Sequence, residues 1–131
     1  MKKTFSLLTL AAALAASVSI VGCSGSSSSS DDVIKIGVFE PLTGANGAGG
    51  ADEYDGIKLA NKLSPEVLGK KVQLVVVDNK SDKVEAANAA TVLAQKEKVN
   101  AVLGSWGSSL SMAGGPIFAE AKIPAVAVSA T

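Results

Sequence analysis

Histidine and arginine are absent from this 131-residue chain, cysteine occurs once, and only five residues are aromatic. Without histidine there is no Ser-His or Cys-His catalytic pair, and a metal site would lack its commonest ligand, so neither metal nor cofactor is expected. A single cysteine excludes an internal disulfide and a CxxC redox site. With no arginine, and 12 lysines balanced by 12 acidic residues, the chain offers no basic surface for nucleic acid. Most familiar enzyme chemistry is therefore excluded. What is present is apolar: 47% hydrophobic and 18% charged residues argue for a packed fold, and the length allows one domain.

The first thirty residues read as processing and attachment signals. Met1, Lys2 and Lys3 form a short basic start, and residues 5–21 are mostly Ala, Leu and other apolar residues. A charged start, an apolar stretch and small residues at its end describe a secretory signal peptide, here residues 1–22. The sequence Ile20-Val21-Gly22-Cys23 resembles the bacterial lipobox, in which the cysteine is acylated and becomes the first residue. Residues 23–32 then form a Ser/Gly-rich tether with nothing to pack. Two or more acyl chains hold a protein stably at a membrane, where one is marginal. The expected product is a lipoprotein anchored through Cys23 and held outside the cytoplasm.

From Val33 onward, strand and helix patterns alternate. Strands are expected at 33–39 (VIKIGVF), 72–77 (VQLVVV), 99–104 (VNAVLG) and 123–128 (IPAVAV). A Gly-rich loop at 44–50 should lead to a helix whose first turn holds Asp52 and Glu53 and whose apolar stripe is Tyr54, Ile57, Ala60 and Leu63. Asp82 and Glu85 have the spacing of a capping box for a second helix over 83–98. Pro116 suits the first regular turn of a third helix ending near Lys122. Buried strands alternating with helices imply an α/β fold: a parallel sheet with helices on both faces. Residues 33–131 end just past the fourth strand, so they are expected to be part of one lobe of a longer chain.

In open α/β sheets, ligands bind outside the carboxyl ends of the strands. The loop at 44–50 fits neither the phosphate-binding P-loop nor the dinucleotide fingerprint. The segment 104–109 (GSWGSS) is sharper. Trp106 stands where a nucleophile elbow would carry serine, so no hydrolase motif is present. Ser108 enters the third helix, where free backbone N–H groups favour an anion such as a carboxylate; the competing reading is that its hydroxyl merely caps that helix. Trp106 could face a ligand as an apolar plate or simply be buried. Ser129 and Thr131, at the next strand end, add carbonyls and a hydroxyl. A carboxylate held at Ser108 and an ammonium at Ser129 would suit a zwitterionic amino acid, although strand-end Ser and Thr are ordinary loop residues more often than ligands.

The order of segments supplies more. A lipobox and Ser tether precede IKIGVFEPLTG at 34–44, DGIKLA at 55–60, VVVDN at 75–79, AVLGS at 101–105 and IPAVAVSAT at 123–131. Together these resemble the leucine/isoleucine/valine-binding type of periplasmic binding protein, the extracellular receptor of an ABC importer. The resemblance covers nearly all of the chain from Cys23 and roughly the first third of a full member. It implies the first part of lobe 1 of a type I periplasmic binding protein fold. It also implies an amino acid or similar small molecule as ligand and an ABC permease in the membrane as partner. The family's carboxylate-binding serine falls on Ser108. Its ammonium-binding carbonyl falls on Ser129, its threonine on Thr131, and an apolar residue touching the ligand side chain on Trp106. Gly49 stands where many members carry an aromatic residue, which leaves the ligand class open.

Three alternatives accompany this expectation. The same fold serves as the ligand domain of receptors, which would make the chain part of a sensor. A hydrolase using Ser105 or Ser108 would need a base that the histidine-free sequence does not supply. An isolated partial lobe presents half a pocket to water, and such a fragment would have no function by itself.

Overall fold

The computed structural model describes residues 33–131. The signal peptide, Cys23 and the tether lie outside the described residues. Strand β1 (Val33–Glu40) leads to helix α1 (Gly47–Leu63), and a short strand β2 (Glu66–Val67) turns back into β3 (Lys70–Asp78). Helix α2 (Lys83–Thr91) continues through one turn of π-helix (Val92–Lys96) before β4 (Ala101–Leu103). Helix α3 (Ser108–Glu120) and β5 (Ala125–Val126) complete the order. The strands lie in the order β2-β3-β1-β4-β5, with every neighbouring pair parallel except the β2–β3 hairpin. Among the described residues, no helix is long and apolar enough to cross a membrane.

Period-two alternation along β1 divides the sheet into two faces. Phe39 points to the face covered by α2 and α3, in a core with Ala86, Ala89, Ala90, Leu93, Val102, Leu110 and Phe118. The Phe39 and Phe118 rings meet edge to face, with centroids 5.4 Å apart and planes at 87°. The three buried alanines of α2 let that helix approach α3 closely. Ile34, Ile36 and Leu74, on the other face, line a groove of about 280 Å³ beneath Ile57 and Ala60 of α1. Helices thus cover both faces, as the alternation of patterns implies.

Four expectations about local structure change. Helix α1 begins at Gly47 rather than near Asp52, so Gly47, Gly49 and Gly50 form its first turn and the two acidic residues follow it. A side chain at Gly50 would stand 2.1 Å from the Pro41 carbonyl oxygen; glycine here permits close packing of helix on loop. The β2–β3 hairpin was not expected. Its turn residues Leu68 and Gly69 both have positive φ, 53° and 75°, as a primed hairpin turn requires.

Asp82 does cap α2, accepting from the amides of Val84 at 2.8 Å and Glu85 at 3.0 Å. Glu85 does not complete the box; its carboxylate pairs with Lys80 at 3.3 Å. Helix α3 runs straight through Pro116, starting at Ser108. Pro116 and Met112, whose carbonyl the proline leaves without a helical donor, lie on the exposed side where water can serve it. Gly114 allows the buried side to approach Phe39, since a Cβ there would lie 2.7 Å from Phe39 Cζ.

Candidate functional site

The carboxyl ends of β1, β3, β4 and β5 form a ledge, and hydrogen bonds lock its loops together. Asp78, ending β3, accepts from Leu42 N at 2.8 Å, Thr43 N at 3.3 Å and Lys80 N at 2.7 Å through Oδ1. Its Oδ2 accepts from the Thr43 hydroxyl at 2.6 Å. Burial pushes the Asp78 carboxyl up, but the Thr43 hydroxyl and the amides of Lys80, Leu42 and Thr43 outweigh it and hold it below the usual range. Ser81 donates to Thr43 O at 2.7 Å and accepts from Asn46 N at 3.0 Å. The Gly-rich segment at 44–50 is therefore a pinned turn running into a helix.

Buried contacts carry the lock to the β4 end. Asn79, fully buried, donates to the Ser105 hydroxyl at 2.8 Å. Ser105 is also fully buried, with its amide donating to Ser111 Oγ at 3.2 Å and its hydroxyl bonding to Trp106 O at 3.3 Å. A buried, engaged hydroxyl is not placed to attack a substrate, which removes Ser105 as a nucleophile. The Trp106 amide donates to Glu40 Oε2 at 2.7 Å.

Ser108 is the first residue of α3. Gly107 before it holds the cap position with φ 100°, and no side chain caps the helix. The capping role weighed for Ser108 is thus not the one it takes. Its hydroxyl instead donates to Thr131 O and accepts from Thr131 N, each at 2.9 Å, with Thr131 Oγ1 at 3.5 Å. Two of the four expected ligand-binding residues therefore converge at the α3 N-terminus, where the first backbone N–H groups lack intrahelical acceptors.

Ser129 does not join them. It lies exposed in the bend after β5 and, among the described residues, makes no hydrogen bond to either. Trp106 is 38% exposed, so it is not the buried structural tryptophan that was the alternative. Its indole lies against Gly49 in the first turn of α1, where a Cβ would stand 2.6 Å from Trp106 Cε2. The ring from the β4 loop thus covers the position at which an aromatic residue was expected to be missing. Cys23 lies outside the described residues.

Sequence reasoning did not single out Glu40. It ends β1, its residue is completely buried, and its carboxyl is pushed up to about 8, by burial first and then by Glu53, against the Trp106 amide that lowers it. The available signal was strand alternation: Ile34, Ile36, Val38 and Glu40 share the face under α1. Among the described residues, no group of three or more acidic or cysteine side chains could hold a metal ion.

Comparison with known proteins accords with this geometry. The model of the family described as periplasmic binding protein matches residues 33–131. The leucine binding protein LivK of Thermotoga maritima MSB8 is 44% identical, with a TM-score of 0.73, over 75% of this chain and 28% of its own. The branched-chain amino acid transporter substrate binding protein LivJ of Streptococcus pneumoniae, solved with isoleucine, is 34% identical at a TM-score of 0.72. That match covers 76% of this chain and 29% of the other. A solute binding protein of an ABC transporter from Rhodopseudomonas palustris BisB5, solved with 3,4-dihydroxybenzoic acid, is 28% identical at 0.72, over 76% and 28%. No curated protein matches. The chain spans less than a third of the length of these solved relatives. With the family match covering every described residue, the chain belongs to the periplasmic binding protein family and carries the first part of its type I fold.

Proposed function

We propose that the protein is the substrate-binding component of an ABC importer, held outside the cytoplasm by a lipid on Cys23, and that its ligand is a small carboxylic acid, in the first instance an amino acid. The observation that carries the ligand class is the meeting of Ser108 and Thr131 at the start of α3. A hydroxyl, a second hydroxyl and helix N-terminal amides converge there, and such a set favours a carboxylate through both hydrogen bonds and the helix dipole. The ligands named for two relatives, isoleucine and 3,4-dihydroxybenzoic acid, differ in everything except that they carry a carboxyl group. A pocket anchored on that group explains how one fold accepts both.

In this mechanism the ledge belongs to one of two lobes that close about the ligand, and the permease recognises the closed form. Closure needs a ligand that binds the closed state better than the open one. Ser108 and Thr131 hold the carboxylate, the Ser129 carbonyl receives an ammonium, and the indole of Trp106 borders the side chain. The exposed indole over Gly49 also favours a second ligand class, aromatic acids, which would stack on it.

Calorimetry on the whole protein with leucine, isoleucine, valine, benzoate and hydroxylated benzoates tests the proposal, with leucinamide and benzamide as partners lacking the carboxylate. Binding of at least one acid, lost in its amide, is expected. Equal binding of acid and amide, or no binding of any acid, refutes it. The native mass of the N-terminal region, with or without a lipid adduct on Cys23, tests the anchor.

A further inference from the structure

We infer that Glu40 and Glu53 share one proton, and that this bridged pair fixes the loop carrying Trp106. Glu40 is completely buried at the end of β1, and the carboxyl that acts on it from α1 is that of Glu53, which also has a buried oxygen. Glu40 Oε2 is occupied by the Trp106 amide at 2.7 Å. The oxygens left over, Glu40 Oε1 and Glu53 Oε2, are both buried and have no donor among the described residues. Two ionised carboxylates in that position would repel in a medium that screens poorly. One proton turns the same contact into an O–H···O⁻ bond, among the shorter and stronger hydrogen bonds proteins make.

The surroundings leave the proton as the simplest neutraliser. Lys58 is paired with Asp55 and Lys80 with Glu85, so the positive charges nearest in these elements are directed elsewhere. From β3 the group alongside is Asp78, a second negative charge already held by its own four donors. From the β4 end the neighbour is Gly104, packed so closely that a Cβ would stand 2.4 Å from both Glu40 Oε1 and Phe39 O. Burial and Glu53 together place the Glu40 titration at about 8, so the proton is present at neutral pH and leaves in mild alkali. Its loss sets two adjacent negative charges between α1 and the loop, and the loop moves.

Trp106 is the only tryptophan of the sequence, which makes the loop directly observable. The fluorescence of the whole protein is titrated from pH 6 to 9, about one unit short of the ordinary tyrosine pKa of about 10, with circular dichroism following the fold. The wild type should show one transition near pH 8 while remaining folded. Glu40→Gln keeps a carbonyl for the Trp106 amide and an N–H for Glu53, so its fluorescence should hold the low-pH value throughout. Glu53→Gln should move the transition to lower pH, because an amide can donate to ionised Glu40. The inference is overturned by a flat wild-type titration, by a transition that persists in Glu40→Gln, or by one that Glu53→Gln leaves in place. A transition displaced by millimolar magnesium or calcium would also overturn it, assigning a cation rather than a proton to the gap. No ligand enters the experiment, so its outcome is independent of the function proposed above.

Discussion

Removing the Asp78 carboxylate should loosen the ledge more than any other single change at its surface. One side chain receives three backbone amides and one hydroxyl; those of Leu42 and Thr43 tie the β1–α1 turn to the end of β3, and the Lys80 amide closes the turn after β3. Hydrogen bonds to a charged group contribute about 1.5–3 kcal/mol each when buried. Asp78 is only half-buried and water can replace part of what is lost, so Asp78→Ala should cost about 2–3 kcal/mol in all. Asp78→Asn is the discriminating partner. Three of the four donors, all backbone amides, converge on Oδ1, which asparagine retains, and its Nδ2 can donate to the Thr43 hydroxyl. It should cost under about 1 kcal/mol.

The pH dependence has a definite sign. The folded-state pKa of Asp78 lies below its unfolded value of 3.8, so its stabilisation is present above that value and lost as pH falls through the folded one. The gap between wild type and Asp78→Ala should therefore narrow in acid. Urea unfolding of the whole protein, followed by Trp106 fluorescence and circular dichroism at pH 7 and below 4, measures both effects. An Asp78→Ala variant within 0.5 kcal/mol (about the scatter of ordinary surface substitutions) of wild type would refute the reasoning, as would an asparagine variant as unstable as the alanine one.

Gly114→Ala should destabilise by about 1–3 kcal/mol, because its methyl group meets the Phe39 ring at 2.7 Å in a packed core; urea unfolding shows it, and an unchanged midpoint would mean that α3 can shift outward freely. Ser108→Ala should weaken every carboxylate ligand by a similar factor, roughly 10- to 100-fold, if one charge-assisted hydrogen bond is lost. Trp106→Ala should instead change the ranking among acids, with aromatic ones losing most. Calorimetry with both variants separates the two roles, and a Ser108→Ala effect confined to one ligand would contradict an anchor common to all.

What was legible in the sequence was whatever depends on periodicity. Strands β1 and β3 and helix α2 are where apolar spacing and the Asp82 cap place them, because burial on both faces demands continuous β-branched runs and a cap obeys a local rule. What was not legible depends on contacts between distant segments. Gly49 and Gly50 look like part of a flexible loop until Trp106 and Pro41 are seen to occupy the space their side chains would fill. Leu68-Gly69 lacks the Asn-Gly signature of a primed turn, and a two-residue strand carries no periodicity at all. Pro116 within α3 broke a local rule at little cost because its side of the helix faces water. At the site, Ser108 was findable as a small polar residue at a helix entrance. Its meeting with Thr131 depended on 23 intervening residues folding back.

The placement of polarity on the ledge divides the work among its residues. Groups that could bind a charged ligand but are internally satisfied cannot do so without losing what they hold. The side chains of Asp78, Ser81, Asn79 and Ser105 each bond to a group from another loop, and Glu40 is sealed beneath Trp106. Their bonds are already formed before any ligand arrives, so the loops do not have to be ordered at the moment of binding, which is where preorganised sites gain affinity. The residues left toward solvent are Ser108, Ser109, Trp106, Ser129 and Thr131. Of these, the Ser108–Thr131 contact is made of exposed groups, so under the proposed function a ligand acid would replace solvent-exposed hydrogen bonds rather than a buried network. If the proposed function holds, a rigid base beneath an exchangeable anchor would let relatives change ligands by altering side chains around the anchor while the anchor stays.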